Sequence, residues 1–302
     1  RMQTPLDPQW CNLERNRIMA RCLVTGHKGY IGSRVFKKLV DLGHDVQGID
    51  LQDGENIIGH LWTEKHTEFK PEYIFHLAAI PRVAYSMEHP YEVLHNNVVS
   101  SMTVLEFARR LGVKRVIYSS SSSVRGNGDG PTSPYGASKL IPETLCKNYS
   151  TAFGVDTVCL RYFNVYSEDQ EADGPYATAV ANWMKYIREG KDPFITGDGE
   201  QRRDMLHVDD AVAANVFCME QAPDFLGANF DVGTGKNISL NEMRNIALEF
   251  NPDVTFQYVE DRPGDVLLTK ADTVPLSELG WRTKNSIVDG IISCFKGVGK
   301  NA

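Results

Sequence analysis

Cys22-Leu-Val-Thr-Gly26-His-Lys-Gly29-Tyr-Ile-Gly32 is a short apolar run that leads into three glycines, with two residues between each and the next. Ser33 to Leu42 follows with apolar residues at helical spacing, so the stretch reads as strand, loop, helix. Glycines at such a junction permit a tight turn, let backbone N–H groups approach a pyrophosphate, and leave the helix N-terminus free to face it. A second strand, His44 to Asp50, closes on a carboxylate about twenty residues on, where it can accept both hydroxyls of an adenosine ribose. The next residues, Leu51 and Gln52, bring no arginine, and Asp50 would repel a 2'-phosphate. The loop therefore favours NAD over NADP.

Outward from this unit the alternation continues. Tyr73 to Ala78, Val113 to Ser119 and Asp156 to Phe163 read as further strands, with an amphipathic segment from Tyr91 to Leu111 between two of them. Ala228 to Val232 reads as a late strand that returns to the same sheet. Strands alternating with helices imply an α/β fold, a Rossmann-type doubly wound parallel sheet. Around 167–204 and 240–302 the alternation breaks down, punctuated by Pro193, Pro252, Pro263 and Pro275. The expected division is a dinucleotide-binding domain over 19–166 and 205–239, with a smaller α/β substrate-binding lobe over 167–204 and 240–302. Residues 1–18 are polar and precede Met19 at the first strand, and are expected to be an N-terminal extension.

With 302 residues and 42% hydrophobic content the chain can bury a sizeable core. A net charge of −7 argues against a nucleic-acid surface, and the pair Arg202-Arg203 is too short to reverse that. No apolar run is long enough to span a bilayer. Six cysteines, at 11, 22, 146, 159, 218 and 294, show no Cys-x-x-Cys pair, which fits buried thiols in a cytoplasmic protein rather than a disulfide frame or zinc site. Asp209 and Asp210 read as the cap and first-turn charges of a helix rather than as metal ligands, and His76 as a residue packed beside the cofactor strand. No metal is expected.

The reacting groups lie farther along. Ser119 to Ser123 follows a strand, so its hydroxyls should emerge at the carboxyl end of the sheet, where α/β proteins bind ligands. In Ser133-Pro-Tyr-Gly-Ala-Ser-Lys139, Ser133 can cap a helix, Pro134 can take its first position, and Tyr135 and Lys139 then share one face. A tyrosine acting as a base near neutrality needs about 4 kcal/mol of help, part of which a neighbouring ammonium can supply. A serine hydroxyl beside the phenol can orient a substrate hydroxyl and relay its proton.

These segments resemble the extended short-chain dehydrogenase/reductases, and within them the nucleotide-sugar 4-epimerases. The resemblance rests on the glycine loop, His76-Leu-Ala-Ala79, Asn96-Asn97-Val, the serine run, Tyr135-x-x-x-Lys139 and Arg161-Tyr-Phe-Asn164-Val-Tyr166. It continues through Gly197-Asp-Gly-Glu-Gln-Arg-Arg203-Asp, His207-Val-Asp-Asp210, Val232-Gly-Thr-Gly235, Arg262-Pro-Gly-Asp265 and Leu279-Gly-Trp281. It implies that Tyr135 takes the proton from a sugar O4 while C4 gives hydride to the nicotinamide. Lys139 would bind the ribose and depress the tyrosine, with Ser121 and Ser122 beside the substrate. The cofactor would be held by Gly26, Gly29, Tyr30, Ile31, Gly32, Asp50, Leu77, Ala78, Ala79, Asn97, Ser119, Tyr162 and Phe163 together with the Tyr135/Lys139 pair. Ser86, Asn164, Arg203, Arg262, Asp265 and Thr269 would meet the substrate, the two arginines through its diphosphate. Arg125 departs from the family pattern, standing where a tyrosine is usual.

The resemblance also sorts the reactions. Dehydratases of this family place Asp-Glu after the catalytic serine or threonine, whereas this chain has Ser122-Ser123. Without an acid to protonate a leaving hydroxyl, dehydration is disfavoured and epimerisation at C4 is left. Gln170, Gly174, Tyr176-Ala177 and Trp183 resemble epimerases acting on UDP-N-acetylglucosamine (UDP-GlcNAc) and UDP-N-acetylgalactosamine (UDP-GalNAc), with UDP-glucose and UDP-galactose as further substrates. Thr269 stands where bulk gates the C2 substituent, and is small enough to admit an acetamido group. A glucuronate substrate would meet Glu168, Asp169, Glu171 and Asp173. The alternatives are a UDP-glucuronate 4-epimerase or a sugar-nucleotide dehydratase or decarboxylase, and, more remotely, a non-catalytic dinucleotide sensor. A homodimer is the expected assembly, formed through the helices near 92–111 and 135–153.

Overall fold

The computed structural model describes residues 19–81, 83–172, 178–260 and 266–298. The expected extension at 1–18 lies outside them. Six parallel strands form the central sheet: β1 (Arg21–Thr25), β2 (Asp45–Ile49), β3 (Tyr73–His76), β4 (Arg115–Ser121), β5 (Thr157–Tyr162) and β6 (Ala228–Val232). Their order is β2-β1-β3-β4-β5-β6. The order reverses between β1 and β3, which opens a crevice at the carboxyl ends of those strands. The alternation of strands and helices in the sequence thus led to the right architecture.

Helices cover both faces. On one, α1 (Tyr30–Asp41) packs beside α5 (Val208–Glu220), joining Val35 and Leu39 to Ala211, Val212 and Cys218 over Val24, Phe75 and Leu160. On the other, α2 (Pro90–Leu111) packs against α3 (Pro134–Phe153), and Val104, Phe107 and Ala108 meet Leu23, Ile74 and Val116. Burial on both faces explains why β4 is nearly continuous in apolar and small residues rather than alternating.

A further core gathers α4 (Ala179–Arg188), α6 (Leu240–Phe250) and α7 (Ile287–Phe295), with Trp183, Met243, Ile291 and Phe295 buried together. It also draws in Tyr166, Met205 and Ile238 from stretches assigned above to the dinucleotide half. Conversely, Leu276 and Trp281, placed above in the lobe, are buried against the sheet's own core. The short pairings 165–166 with 206–207 and 202–203 with 238–239 bind the crossing segments to each other.

Candidate active site

At the end of β1 the chain turns through Gly26, which adopts a φ of +71°. A Cβ there would lie 2.8 Å from the backbone of Ala78, so the first turn and the loop after β3 can approach only because Gly26 has none. Gly32 is tighter still: a Cβ would sit 2.0 Å from the Gly26 carbonyl oxygen. Gly29, at the N-cap of α1, offers no side-chain cap, and the first turn holds no acidic residue. The helix N-terminus is therefore left for an anion. Asp50 ends β2 and accepts from the Lys28 N–H at 2.9 Å and the Gln52 N–H at 3.0 Å. These groups line one end of a cleft of about 1120 Å³ that runs along the carboxyl edge of the sheet. An absent Cβ at each close approach and a carboxylate at the strand end fit NAD, with the pyrophosphate at the loop and the ribose at Asp50.

The cleft wall brings together Gly26, Gly29, Tyr30, Ile31, Gly32, Asp50, Leu77, Ala78, Ala79, Ser119, Ser121, Ser122, Tyr135, Lys139, Tyr162 and Asn164. Asn97 works from behind it. Its side chain accepts from the Ile80 N–H at 2.7 Å and donates to the Ile80 carbonyl and Ser138 Oγ, clamping the loop after β3. His76 is buried between Thr25 Oγ1 and Ser101 Oγ, and burial pushes its imidazole down to about 3, so it stays neutral. It packs beside the cofactor strand, as the sequence implied.

At the centre of the cleft, Ser133 Oγ accepts the Gly136 N–H at 3.1 Å and so caps α3 as anticipated. Tyr135 and Lys139 face the serine run. Lys139 Nζ donates to the Ser119 carbonyl at 2.8 Å, and its ammonium lies 5.3 Å from the Tyr118 ring centroid. Burial lowers Lys139 to about 8, an effect that Glu143 opposes. Burial raises the Tyr135 phenol, and a hydrogen bond with Ser121 opposes that rise. Behind the serines, Ser120 donates to Glu143 at 2.6 Å, and Arg161 grips both oxygens of that carboxylate. The sequence marked Arg161 only as part of a motif; its buried partner lies on α3, eighteen residues away, and no local pattern links the two.

Three assignments need correction. Ser86 is fully buried, donates to the Val83 carbonyl and accepts the Tyr135 N–H at 3.0 Å, so it supports α3 instead of meeting substrate. Phe163 is buried in the core rather than on the cleft wall, because it follows Tyr162 on the opposite side of the chain. Thr269 lies on neither cavity wall, since its Oγ1 accepts from Asn164 Nδ2 at 3.2 Å and from the Asp204 N–H at 3.1 Å. A smaller correction concerns α5: its cap is His207, which accepts the Asp209 N–H, while Asp210 is buried against the Lys284 and Asn285 backbone. No cluster of metal-ligating side chains occurs among the described residues.

A second cavity, of about 180 Å³, opens beside the first and is walled by Trp183, Phe194, Met243, Asn182 and Arg203. Asn164 and Thr178 line both cavities, so one elongated ligand can occupy the two. Asn164 holds a φ of +29°, a conformation that asparagine tolerates, with its amide tied to the Asp204 carbonyl at 2.8 Å. Arg203 donates to the Val266 and Arg202 carbonyls, which fixes its side chain at this junction. Arg262 and Asp265, and Gly174, Tyr176 and Ala177, lie outside the described residues. The structure also gives Arg125 a partner: its guanidinium meets Asp231 at 2.8 Å, joining the end of the serine run to β6.

Residues 22–233 match the model of the family described as NAD dependent epimerase/dehydratase. A UDP-glucose 4-epimerase of Mycolicibacterium smegmatis is 33% identical, over 90% of this chain and 96% of that protein. Among solved structures, a UDP-glucose 4-epimerase of Thermotoga maritima with UDP-glucose has a TM-score of 0.83 at 31% identity, covering 91% of this chain and 97% of that one. A UDP-N-acetylglucosamine 4-epimerase of Methanobrevibacter ruminantium also reaches a TM-score of 0.83, at 28% identity, covering 92% and 97%. The glycine loop, the strand-end carboxylate and the Ser/Tyr/Lys cluster are therefore features of an enzyme, and this chain belongs to the NAD dependent epimerase/dehydratase family.

Proposed function

We propose that the protein inverts C4 of a UDP-sugar, with UDP-GlcNAc and UDP-GalNAc as the preferred pair and UDP-glucose and UDP-galactose as further substrates. The observation that carries this reading is the juxtaposition of Ser121, Tyr135 and Lys139 on a cleft whose serine run holds no carboxylic acid. NAD, held by the glycine loop and Asp50, would supply the hydride acceptor and donor for the sugar C4. Tyr135 removes the O4 proton and later gives it back, Ser121 orients O4 through the hydrogen bond it already makes to the phenol, and Lys139 supplies positive charge at the end of β4. Glu143 takes no part as an acid, because Arg161 and Ser120 hold it behind the serines.

The second cavity suits the nucleotide, with aromatic and thioether side chains for a base and Arg203 for a phosphate. In this division 167–204 and 240–302 supply most of the nucleotide-sugar side. Against glucuronate, the acidic argument narrows to one residue among those described, Asp173 lying outside them. Asp169 is paired with Arg34 at 2.6 Å and Glu168 with His207 at 3.1 Å, which leaves Glu171 on the cleft wall to repel a sugar carboxylate. Five buried free thiols suit a reducing cytoplasm, and no described helix is long and apolar enough to cross a membrane. Incubating the enzyme separately with UDP-GlcNAc, UDP-GalNAc, UDP-glucose, UDP-galactose and UDP-glucuronate, without added reductant, and separating the products tests the reading. Interconversion of the N-acetylhexosamine pair ahead of the others is expected, and no interconversion of any would overturn it.

A further inference from the structure

The glycine loop carries a cation that the reading above leaves unused. Lys28, between Gly26 and Gly29, stands on the cleft wall, and its N–H donates to the Asp50 carboxylate at 2.9 Å. Its backbone is thus fixed beside the group that faces the adenosine ribose, and a free ammonium there would be placed to meet a 2'-phosphate. The ammonium is not free. Leu51–Asp53 forms a short 3₁₀ turn capped by Asp50, and the turn brings the Asp53 carboxylate onto Lys28 Nζ. His27 Nε2 approaches the other Asp53 oxygen at 3.3 Å. The remaining acid at this end, Glu55, is paired with Lys65 at 2.8 Å.

We propose that Asp53 is a specificity-determining residue for the cofactor: by holding the Lys28 ammonium and adding a second carboxylate beside Asp50, it excludes the 2'-phosphate of NADP and reserves the cleft for NAD. Lys28 is then a latent phosphate contact that Asp53 keeps neutralised. The proposal rests on Asp50 being the ribose partner, and the test separates the two.

The experiment is fluorescence titration of cofactor-stripped protein with NADH and NADPH, for wild type, Asp53→Asn, the Lys28→Met/Asp53→Asn double variant and Asp50→Ala. In Asp53→Asn the NADPH affinity should rise about tenfold relative to NADH, the scale of one charge-assisted contact, and the gain should shrink as salt rises. The double variant should lose it. An unchanged NADPH/NADH ratio in Asp53→Asn, or a gain that persists without Lys28, overturns the proposal while leaving NAD binding intact. Undiminished NADH affinity in Asp50→Ala overturns the ribose assignment and the proposal with it. Asp53 is partly exposed and asparagine matches its shape, so circular dichroism of Asp53→Asn should equal that of wild type.

Discussion

Burial raises the Tyr135 phenol and lowers the Lys139 ammonium at once, so both groups are biased toward their neutral forms. Ser121 is the residue that connects the phenol to the cleft, and it is positioned by its own cap, accepting the Ser123 N–H at 3.2 Å. Tyr135→Phe removes the exchangeable proton without emptying the site. Turnover should fall by about 10² to 10⁴ while NAD content, measured after denaturation of the purified protein, stays at the wild-type level; undiminished turnover would place the base elsewhere. Lys139 gives a pH prediction. Held at about 8 instead of 10.5, it is charged below that pH and neutral above, so UDP-sugar kcat/KM should decline above about pH 8. The folding sign is opposite: burying the charged form costs stability below pH 8, and that cost is relieved as pH rises from about 8 toward 10.5. A kcat/KM profile flat to pH 10 would show that the ammonium is not needed.

At the scale of elements, the loop between β1 and α1 was legible because its chemistry is local. Three glycines at fixed spacing announce a backbone that must pass close to itself, and a Cβ added at Gly32 would lie only 2.0 Å from the Gly26 carbonyl oxygen. Gly32→Ala should therefore cost about 1–3 kcal/mol of stability from overpacking and should abolish NAD retention on gel filtration, both read by urea denaturation and cofactor content; wild-type values for both would mean that the turn can relax. The Ser133-Pro134 start of α3 was legible for the same reason. What escaped the sequence are contacts made across elements. Ser86 looks like any serine in a short helix until α3 is seen to place the Tyr135 N–H on its oxygen. The Glu143–Arg161 pair joins α3 to β5, and the Arg125–Asp231 pair joins the turn after β4 to β6. Thr269 meets Asn164 from across the fold, 105 residues away in sequence. No spacing rule encodes these meetings, because the sheet order that creates them is settled by the whole chain.

The whole molecule leaves one face to account for. One face of the sheet is covered by α2 and α3, on whose outer side Tyr91 is 80% exposed, Met102 46% and Ile141 41%. Tyr91 and Met102 are three turns apart, so they lie along one stripe of α2. Scattered apolar residues are ordinary on a surface, but a stripe on two neighbouring helices offers a flat, self-complementary patch, and a two-fold axis through it buries both copies at once. We therefore expect light scattering to report twice the mass of the chain. A Met102→Glu/Ile141→Glu variant should run at the monomer mass with unchanged circular dichroism, because four carboxylates would face one another across the axis. A wild-type monomer at micromolar concentration, or a dimer that survives both glutamates, would remove these helices as the contact. Since α3 carries Tyr135 and Lys139 on its inner side and the patch on its outer side, separating the subunits should also lower kcat more than it raises KM.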